Sequence, residues 1–269
     1  MTFSFEAQDM RYLFSIFLSL ALFAPSPYSA QAAPDPKLQE LLNLGAEALL
    51  KEADERHFRF DTQLISVRMT MFGGADKGRQ IEMTTRMKGE NKRAIEFHKP
   101  ADLKGMRVVI KGRNDIKVRI PDMNKVRKVA SHARRQTFYG TDWSFDDMTM
   151  LRLAKDFAPK IVDQNDTHVV LELLRKEGVD LSYAKLRVLI DKTEIMIPEI
   201  QYFDDDGKMV REQVRTDLKT MPNGHKLYHR VEMRNKTRDH KTVVDVLKEE
   251  VNIDLPDSTF SRRWLVRGP

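Results

Sequence analysis

The sequence predicts a mainly β protein built on one antiparallel sheet, with a helix at its start. Two stretches alternate apolar and polar residues, as strands with one dry and one wet face do: "VRMTMF" at 67–72 and "RQIEMTTRMK" at 79–88. Turn signals follow one another closely, which leaves no room for the crossover helices of a parallel sheet. A helical period occurs before these strands, and the strand pattern returns in the second half.

The first 32 residues have the order of a secretory signal peptide. Arg11 precedes a mostly apolar run at 12–23, and small residues form an A-x-A cleavage site at 30–32. The run is shorter than the roughly 20 residues that a membrane span needs. Translation from Met10 would remove two acidic residues from the positive end and give a better signal. We therefore expect export and cleavage near Ala32; the alternative is a membrane anchor that is kept.

The composition limits what residues 33–269 can be. The chain has no cysteine, so it forms no disulfide and carries no lipid on a cysteine after the signal. We expect a single periplasmic domain, held together by packing alone. The net charge is +6. In a cytosolic protein a basic balance would suggest nucleic acid, but outside the cytosol the abundant polyanions are lipid headgroups. We therefore expect transient contact with a membrane surface, no nucleic acid, and a monomer.

The first predicted element of this domain is a helix from Asp35 to about Arg56. Asp35-Pro36 is a typical helix start. One apolar stripe follows at helical spacing, made of Leu38, Leu41, Leu42, Ala46, Leu49, Leu50 and Ala53. Because the opposite face is charged, the helix is expected to lie on the sheet.

The remaining elements are predicted to be strands joined by tight turns. In the first half the turn signals are "GGADKG" (73–78), "GEN" (89–91), "KPADLKG" (99–105), "GRND" (112–115) and "PDMN" (121–124). In the second half the predicted strands fall within 167–175, 182–191, 198–215 and 225–246, joined by "DDDG", "PNG" and "NKTRDH". The whole is expected to be a meander of antiparallel strands.

Few residues suggest catalysis. The seven histidines form none of the known metal or catalytic motifs, and His225 and His229 share a strand face without an acidic residue at a recognisable spacing. The "DDDG" at 204–207 fails as a calcium loop, because the first and last ligand positions would be Tyr202 and Gln213. It is expected to be a hairpin turn. We predict no enzyme, no metal and no cofactor.

The segment "PDMNKVRKVASHARRQTFYGTDWSFDDM" at 121–148 resembles the signature stretch of the LolA-like group of periplasmic outer-membrane lipoprotein-sorting proteins. In that group a strand ending in proline is followed by a turn, a basic strand, phenylalanine, glycine and an acidic, aromatic helix start. The upstream "IEFHKPADLKGMRVVI" and the closing "LPDSTFSRRWL" also match the group. The resemblance covers about Leu38 to Leu265.

The resemblance implies a fold and an activity. The fold is a strongly curved, half-open antiparallel β-barrel with helices at its mouth. The activity is carriage of acyl chains, of lipoproteins or of free lipids, through the periplasm. Members of this branch often accompany RND-type transporters of the inner membrane, so such a transporter is a candidate partner. The branch is distant from the lipoprotein chaperone itself, and the cargo is not transferred with the fold.

Flexible apolar side chains are frequent on the predicted inward faces. They are Met69, Met71, Met83, Met87, Ile95, Phe97, Met106, Val108, Ile110, Val118 and Ile120, and all but Met71 and Met106 are assigned to the wall of a lipid cavity. Methionine adapts to irregular partners, which suits a cavity for acyl chains. The alternative is that these side chains simply fill a core.

Residues 137–148, "TFYGTDWSFDDM", are interpreted as a cover over the mouth of the sheet, and we name them the lid segment. A helix from about Asp142 to Phe157 is predicted. Asp142, Asp146 and Asp147 could pair as acid and base, but Thr141 and Asp142 are also helix-capping residues, and carboxylates in the first turn suit a helix N-terminus, so capping is preferred. Gly140 would permit the sharp entry. The predicted apolar face of the lid segment comprises Phe138, Tyr139, Trp143, Phe145 and Met148.

The basic run before the lid segment is predicted to rim the mouth. It comprises Lys125, Arg127, Lys128, Arg134 and Arg135. These side chains could meet a phosphate headgroup or an acidic partner. The alternative is a solvated edge strand, because lysines and arginines also protect sheet edges from aggregation.

A lipid or lipoprotein carrier is the function that this pattern favours. The alternative is a periplasmic sensor of the same fold that binds lipid or lipoprotein and signals to a membrane partner. An exported hydrolase ranks last, because no nucleophile with a neighbouring base is recognisable in the sequence.

Overall fold

The structure is a computed structural model that describes residues 32–121, 125–150, 152–221 and 223–269. The predicted signal peptide lies outside the described residues, apart from Ala32. Pro34–Pro269 form one compact unit. Each helix within the described ranges is too short or too polar to span a bilayer.

The N-terminal helix is divided, where the sequence analysis predicted a continuous one. Helix α1 spans Leu38–Leu44 and helix α2 spans Ala46–His57. Gly45 between them has a φ of 100°, and its N–H ends α1 by donating to the carbonyls of Leu41 and Leu42. A glycine weakens a helix interior by about 1 kcal/mol relative to alanine, so the break falls where the helix is weakest. The buried side of α2 packs on the sheet.

The sheet is antiparallel throughout and has thirteen strands. They are β1 Thr62–Phe72, β2 Gln80–Lys88, β3 Lys92–Lys99, β4 Arg107–Lys111, β5 Ile116–Ile120, β6 Lys125–Lys128, β7 Phe157–Gln164, β8 His168–Arg175, β9 Lys185–Asp191, β10 Glu199–Phe203, β11 Met209–Thr220, β12 Lys226–Asn235 and β13 His240–Val251. Their order is β6-β5-β4-β3-β2-β1-β13-β12-β11-β10-β9-β8-β7, so β6 and β7 are free edges and the sheet does not close. The predicted fold class is confirmed.

The sheet is strongly curved, because strands far apart in its order line the same cavity. Strands β3 and β10 stand six positions apart in the order, which on a flat sheet would separate them by roughly 29 Å at about 4.8 Å per strand. Yet Ile95 of β3 and Ile200 of β10 line the same cavity. The sheet therefore wraps around that cavity, and the fold is a half-open barrel.

The connection from β6 to β7 joins the two free edges and contains three short helices. They are α3 Ser131–Arg134, α4 Phe145–Thr149 and α5 Leu153–Asp156. The predicted helix from Asp142 to Phe157 is therefore wrong in extent, and Phe157 already begins β7.

The predicted capping residues of this helix, Thr141 and Asp142, are also wrong. Ser144 caps α4: its hydroxyl accepts from the N–H of Asp147, whose carboxylate accepts from the N–H of Ser144 in return. This reciprocal pair follows the S-x-x-D spacing of a capping box, which the sequence contains. Asp142 instead binds strand β13, as described below.

The outer face of the sheet carries the end of the chain. A 3₁₀ helix, Asp257–Phe260, and helix α6, Arg262–Arg267, place Phe260, Trp264 and Leu265 against Ala94 and Val109. The guanidinium groups of Arg86 and Arg107 lie 5.6 and 5.9 Å from the centre of the Trp264 ring. This small core lies on the opposite side of β3 and β4 from the cavity.

Candidate functional site

A cavity of about 300 Å³ lies between the concave face of the sheet and the short helices. Its wall is mostly apolar and is shared by the two halves of the sheet and the lid segment. The apolar wall residues are Ala53, Phe58, Phe60, Ile65, Val67, Met69, Met83, Met87, Ile95, Trp143, Met148, Met150, Leu153, Ile197, Ile200, Leu227, Val231, Val244 and Val246. A cavity of this size is at the small end of the range for ligand sites.

The nine residues that the sequence assigned to the cavity wall separate into three groups. Met69, Met83, Met87 and Ile95 line the cavity. Phe97, Val108 and Ile110 are buried in the core beside it rather than on its wall, and Val118 and Ile120 line a second, more open recess. The reason for the difference is Phe138, whose ring lies 5.3 Å from the ring of Phe97 and fills this end of the barrel.

The lid segment divides between the same two spaces. Trp143 and Met148 line the cavity, whereas Phe138, Tyr139 and Phe145 line the second recess. Gly140 has a φ of 86°, and a side chain there would meet the carboxylate of Asp76 at 2.7 Å. The positive φ of this turn favours glycine.

Carboxylates hold the lid segment on the sheet. The Asp142 carboxylate is fully buried and lies 2.7 Å from His240 Nδ1 and 2.8 Å from the hydroxyl of Thr242, which donates to it. Asp147 accepts from the hydroxyl of Tyr183 and from the guanidinium of Arg211, both at 2.8 Å. Burial and the nearby Asp147 charge hold the pKa of Tyr183 well above its usual range, so this tyrosine stays a donor. These carboxylates anchor the lid segment on the sheet.

The basic run does not form one rim. Lys125, Arg127 and Lys128 are exposed on the edge strand β6, and the last two line the second recess. The prediction for Arg134 is wrong, because Arg134 is only 2% exposed. Its position at the end of the short helix α3 turns it inward, whereas the neighbouring Arg135 remains half exposed and pairs with Asp180.

The cavity also contains polar groups that the sequence analysis did not assign. They are Asp54, His57, Gln63, Arg93, Asp147, Tyr202, Gln213, Arg215 and Tyr228. Arg93 points from β3 and donates to the carbonyl of Met148 in the lid segment. Its burial lowers its pKa to about 9. Arg93 shares the inward register of Ile95 and Phe97 on β3, so the alternation that turns those two residues inward also turns Arg93 inward.

A buried polar cluster lies next to the cavity. Glu249 of β13 accepts from the amide of Gln63 at 2.6 Å, and its oxygens lie 3.3 Å from His225 Nε2 and 3.6 Å from His229 Nε2. The acidic neighbour that the histidines lack in sequence comes from the adjacent part of the sheet. No group of three or more such side chains within the described ranges has the arrangement of a metal site.

The first testable prediction concerns Asp54. Its carboxylate accepts the N–H of Ala154 at 2.8 Å, and burial raises its pKa from 3.8 to about 6. A raised folded-state pKa means that its contribution to stability is complete below about pH 3.8 and is lost as the pH rises through 6. Asp54→Asn keeps an oxygen for Ala154 and removes the charge. We expect the variant to be more stable at pH 7.5, by on the order of 1–3 kcal/mol, and equal to the original at pH 4. Denaturant unfolding at both pH values measures this; lower stability at pH 7.5 would contradict it.

Comparison with known proteins gives a consistent group. A family model described as "-like: Uncharacterized protein" matches residues 89–267, more than half of the chain. No protein with a curated description matches. Among solved structures, a DUF1329 family protein from Desulfovibrio piger has a TM-score of 0.76 at 17% identity, over 81% of this chain and 97% of that one.

Two further structures carry names of the same kind. A domain named for outer membrane lipoprotein sorting, from Vibrio parahaemolyticus, has a TM-score of 0.73 at 18% identity, over 84% of this chain and 99% of that one. A LolA superfamily protein from Nitrosomonas europaea has a TM-score of 0.70 at 17% identity, over 82% and 99%. At these identities the three structures establish a shared fold.

Proposed function

Because the chain belongs to the LolA-like family, we propose that it is a periplasmic carrier that holds acyl chains of lipids or lipoproteins in its cavity and moves them between the inner and outer membranes without catalysis. The observation that carries the proposal is the apolar cavity under the lid segment. The name of the Vibrio parahaemolyticus relative, which refers to lipoprotein sorting, supports the same use.

The chemistry of the cavity wall favours an acyl chain. Three methionines, Met69, Met83 and Met87, face the lid residues Trp143 and Met148 across the space. Unbranched, polarizable side chains adjust to a ligand that itself has many conformations. Each buried methylene of such a ligand contributes about 0.8 kcal/mol, so one long chain is enough for stable binding.

The predicted signal peptide and the basic surface complete the proposal. We place the protein in the periplasm as a monomer that touches membrane surfaces transiently. An RND-type transporter of the inner membrane is the proposed partner. The exposed Lys125, Arg127 and Lys128 would meet headgroups or that partner; since β6 is an edge strand, protection of the edge is the competing role.

Lipid extraction tests the carrier function directly. Protein purified from the periplasm, examined by native mass spectrometry and then extracted, should release bound lipid. The purified protein should also bind a fluorescent fatty acid. Absence of both co-purified lipid and probe binding would overturn the proposal.

A pair of neighbouring residues provides a sharper test. Val246 and Leu247 are adjacent on β13, but Val246 lines the cavity and Leu247 is exposed. Val246→Trp should fill part of the cavity and weaken binding of the fluorescent fatty acid at least tenfold, at a stability cost of about 1–3 kcal/mol. Leu247→Trp adds the same group outside and should bind like the original. Equal binding of the fatty acid by both variants would show that the ligand does not bind in this cavity.

A further inference from the structure

Arg215 is a charged residue in the cavity that forms no ion pair with a carboxylate in the part of the chain that the structure describes. It lies on β11, and its Nε and Nη2 donate to the side-chain oxygen of Gln213 at 3.2 and 2.9 Å. Its Nη1 lies 3.5 Å from the carbonyl of Ile197. Among the described residues, the carboxylate that acts on it is that of Asp54, through its charge and not through a hydrogen bond. Burial lowers its pKa.

A second guanidinium contributes to the same cavity. Arg93 donates to the Met148 carbonyl, and its buried Nε has no hydrogen-bond partner among the described residues. His57 lies in the field of both arginines: burial first, and then the charges of Arg215 and Arg93, hold the pKa of His57 well below its usual range. The histidine is therefore neutral at pH 7 and adds no charge of its own.

The acidic groups facing the cavity do not balance these charges. Asp147 is committed to Arg211 and Tyr183. Asp54 acts on Arg215 only at longer range, and its oxygen is bound to the Ala154 N–H. Besides the paired Asp147, the cavity wall carries two guanidinium groups and only the Asp54 carboxylate among the described residues, so positive charge is in excess. Buried charge of this kind is costly unless a partner of opposite sign is supplied.

We propose that the cargo is an amphiphile with a single acyl chain and one anionic oxygen head, a carboxylate or a phosphate monoester, whose head binds Arg215. This inference rests on the proposed carrier function and narrows its cargo. A guanidinium fork matches carboxylate and phosphate oxygens in a bidentate manner. The cavity of about 300 Å³ suits one chain better than the several chains of a lipoprotein anchor. The positive charge of Arg93, which lines the same cavity, also favours a negatively charged ligand.

The test uses three ligands of equal chain length: hexadecanoate, hexadecyl phosphate and hexadecanol. The original protein should bind at least one of the two anions roughly tenfold more tightly than the alcohol, which is the scale of a charge-assisted hydrogen bond. The anion that binds more tightly shows whether the head group of the cargo is a carboxylate or a phosphate monoester. Binding of the alcohol as tightly as both anions would overturn the inference and leave the carrier function standing. Failure of all three ligands would overturn both.

A matched pair of variants assigns the effect to Arg215. Arg215→Gln should lose the tenfold preference for the anion and keep its affinity for hexadecanol. Arg187→Gln, at an exposed position on β9, should change neither. Thermal unfolding of both variants shows that they fold. An equal loss for anion and alcohol in Arg215→Gln would assign a structural role and refute headgroup binding. Arg93 is less suited to this test, because its replacement also frees the Met148 carbonyl.

Discussion

Arg134→Glu is expected to leave the protein largely unfolded at 37 °C. The side chain is 2% exposed, and oxygen atoms surround its guanidinium group. Its Nη1 donates to the carbonyl of Arg113 and to Asn114 Oδ1, both at 2.9 Å, and its Nη2 donates to Asp180 at 2.6 Å. The fully buried Asp146 lies 3.6 Å from its Nε. A glutamate here would place a third carboxylate beside Asp146 and Asp180 and would leave the two acceptors from the β4–β5 turn without a donor.

The size of the effect follows from burial. Removing one partner of a buried ion pair costs about 3–5 kcal/mol, and the reversed charge adds to that. A domain has about 5–15 kcal/mol in total. Burial already raises the pKa of Asp146, and the charge of Arg134 opposes that rise. Denaturant unfolding measures the loss, and Arg134→Gln, which keeps hydrogen-bonding groups, should lose less.

Arg135→Glu is the matched control for this prediction. Arg135 is adjacent in sequence, has a half-exposed side chain and pairs with the same Asp180. Exposed pairs contribute about 0–1 kcal/mol, so this variant should unfold close to the original. If both variants had the same stability, burial of the replaced residue would not determine the loss. That result would contradict a stabilising role for Arg134.

The contrast between these two arginines shows what the sequence can predict here. Alternation and turn chemistry are local, so the antiparallel meander and most of its strands could be predicted from them. Arg134 and Arg135 have the same chemistry and adjoining positions, and only the placement of α3 against the β4–β5 turn separates them. The same holds for Glu249 and His225, which pairing within the sheet brings together from 24 positions apart in the chain.

The sequence predicts that an apolar cavity exists better than it predicts which residues form the cavity wall. Period-2 alternation identified Met69, Met83 and Met87 as inward-facing, and they line the cavity. Alternation cannot tell a wall residue from a core residue, because both face inward. Phe97 became core because Phe138 from the lid segment packs on it. Two differences have local signals in the sequence: Gly45 indicates the helix break, and the Ser144–Asp147 spacing indicates the cap.

Trp143→Ala is expected to separate ligand binding from stability. Trp143 lines the cavity and packs against the apolar cores of both halves of the sheet, β1–β5 and β7–β12. Its backbone is held independently of its ring, since its carbonyl accepts the N–H of Phe138 at 2.7 Å and Asp142 and Asp147 anchor the chain on either side. Truncation of a fully buried tryptophan costs about 3–5 kcal/mol. Because one side of this ring already faces the cavity, we expect about 2–3 kcal/mol and a marked loss of acyl-probe retention.

The second tryptophan of the chain supplies the control. Trp264 is buried on the outer face, against Ala94 and Val109, away from the cavity. Trp264→Ala should cost about 3–5 kcal/mol, because the cavity that it leaves is enclosed and the two guanidinium contacts are lost. It should still retain the probe at temperatures where it is folded. Thermal unfolding and probe binding, measured on both variants under the same conditions, should therefore rank them in opposite orders. If Trp143→Ala kept full retention, or if Trp264→Ala lost as much, the ring of Trp143 would have no specific part in holding the ligand.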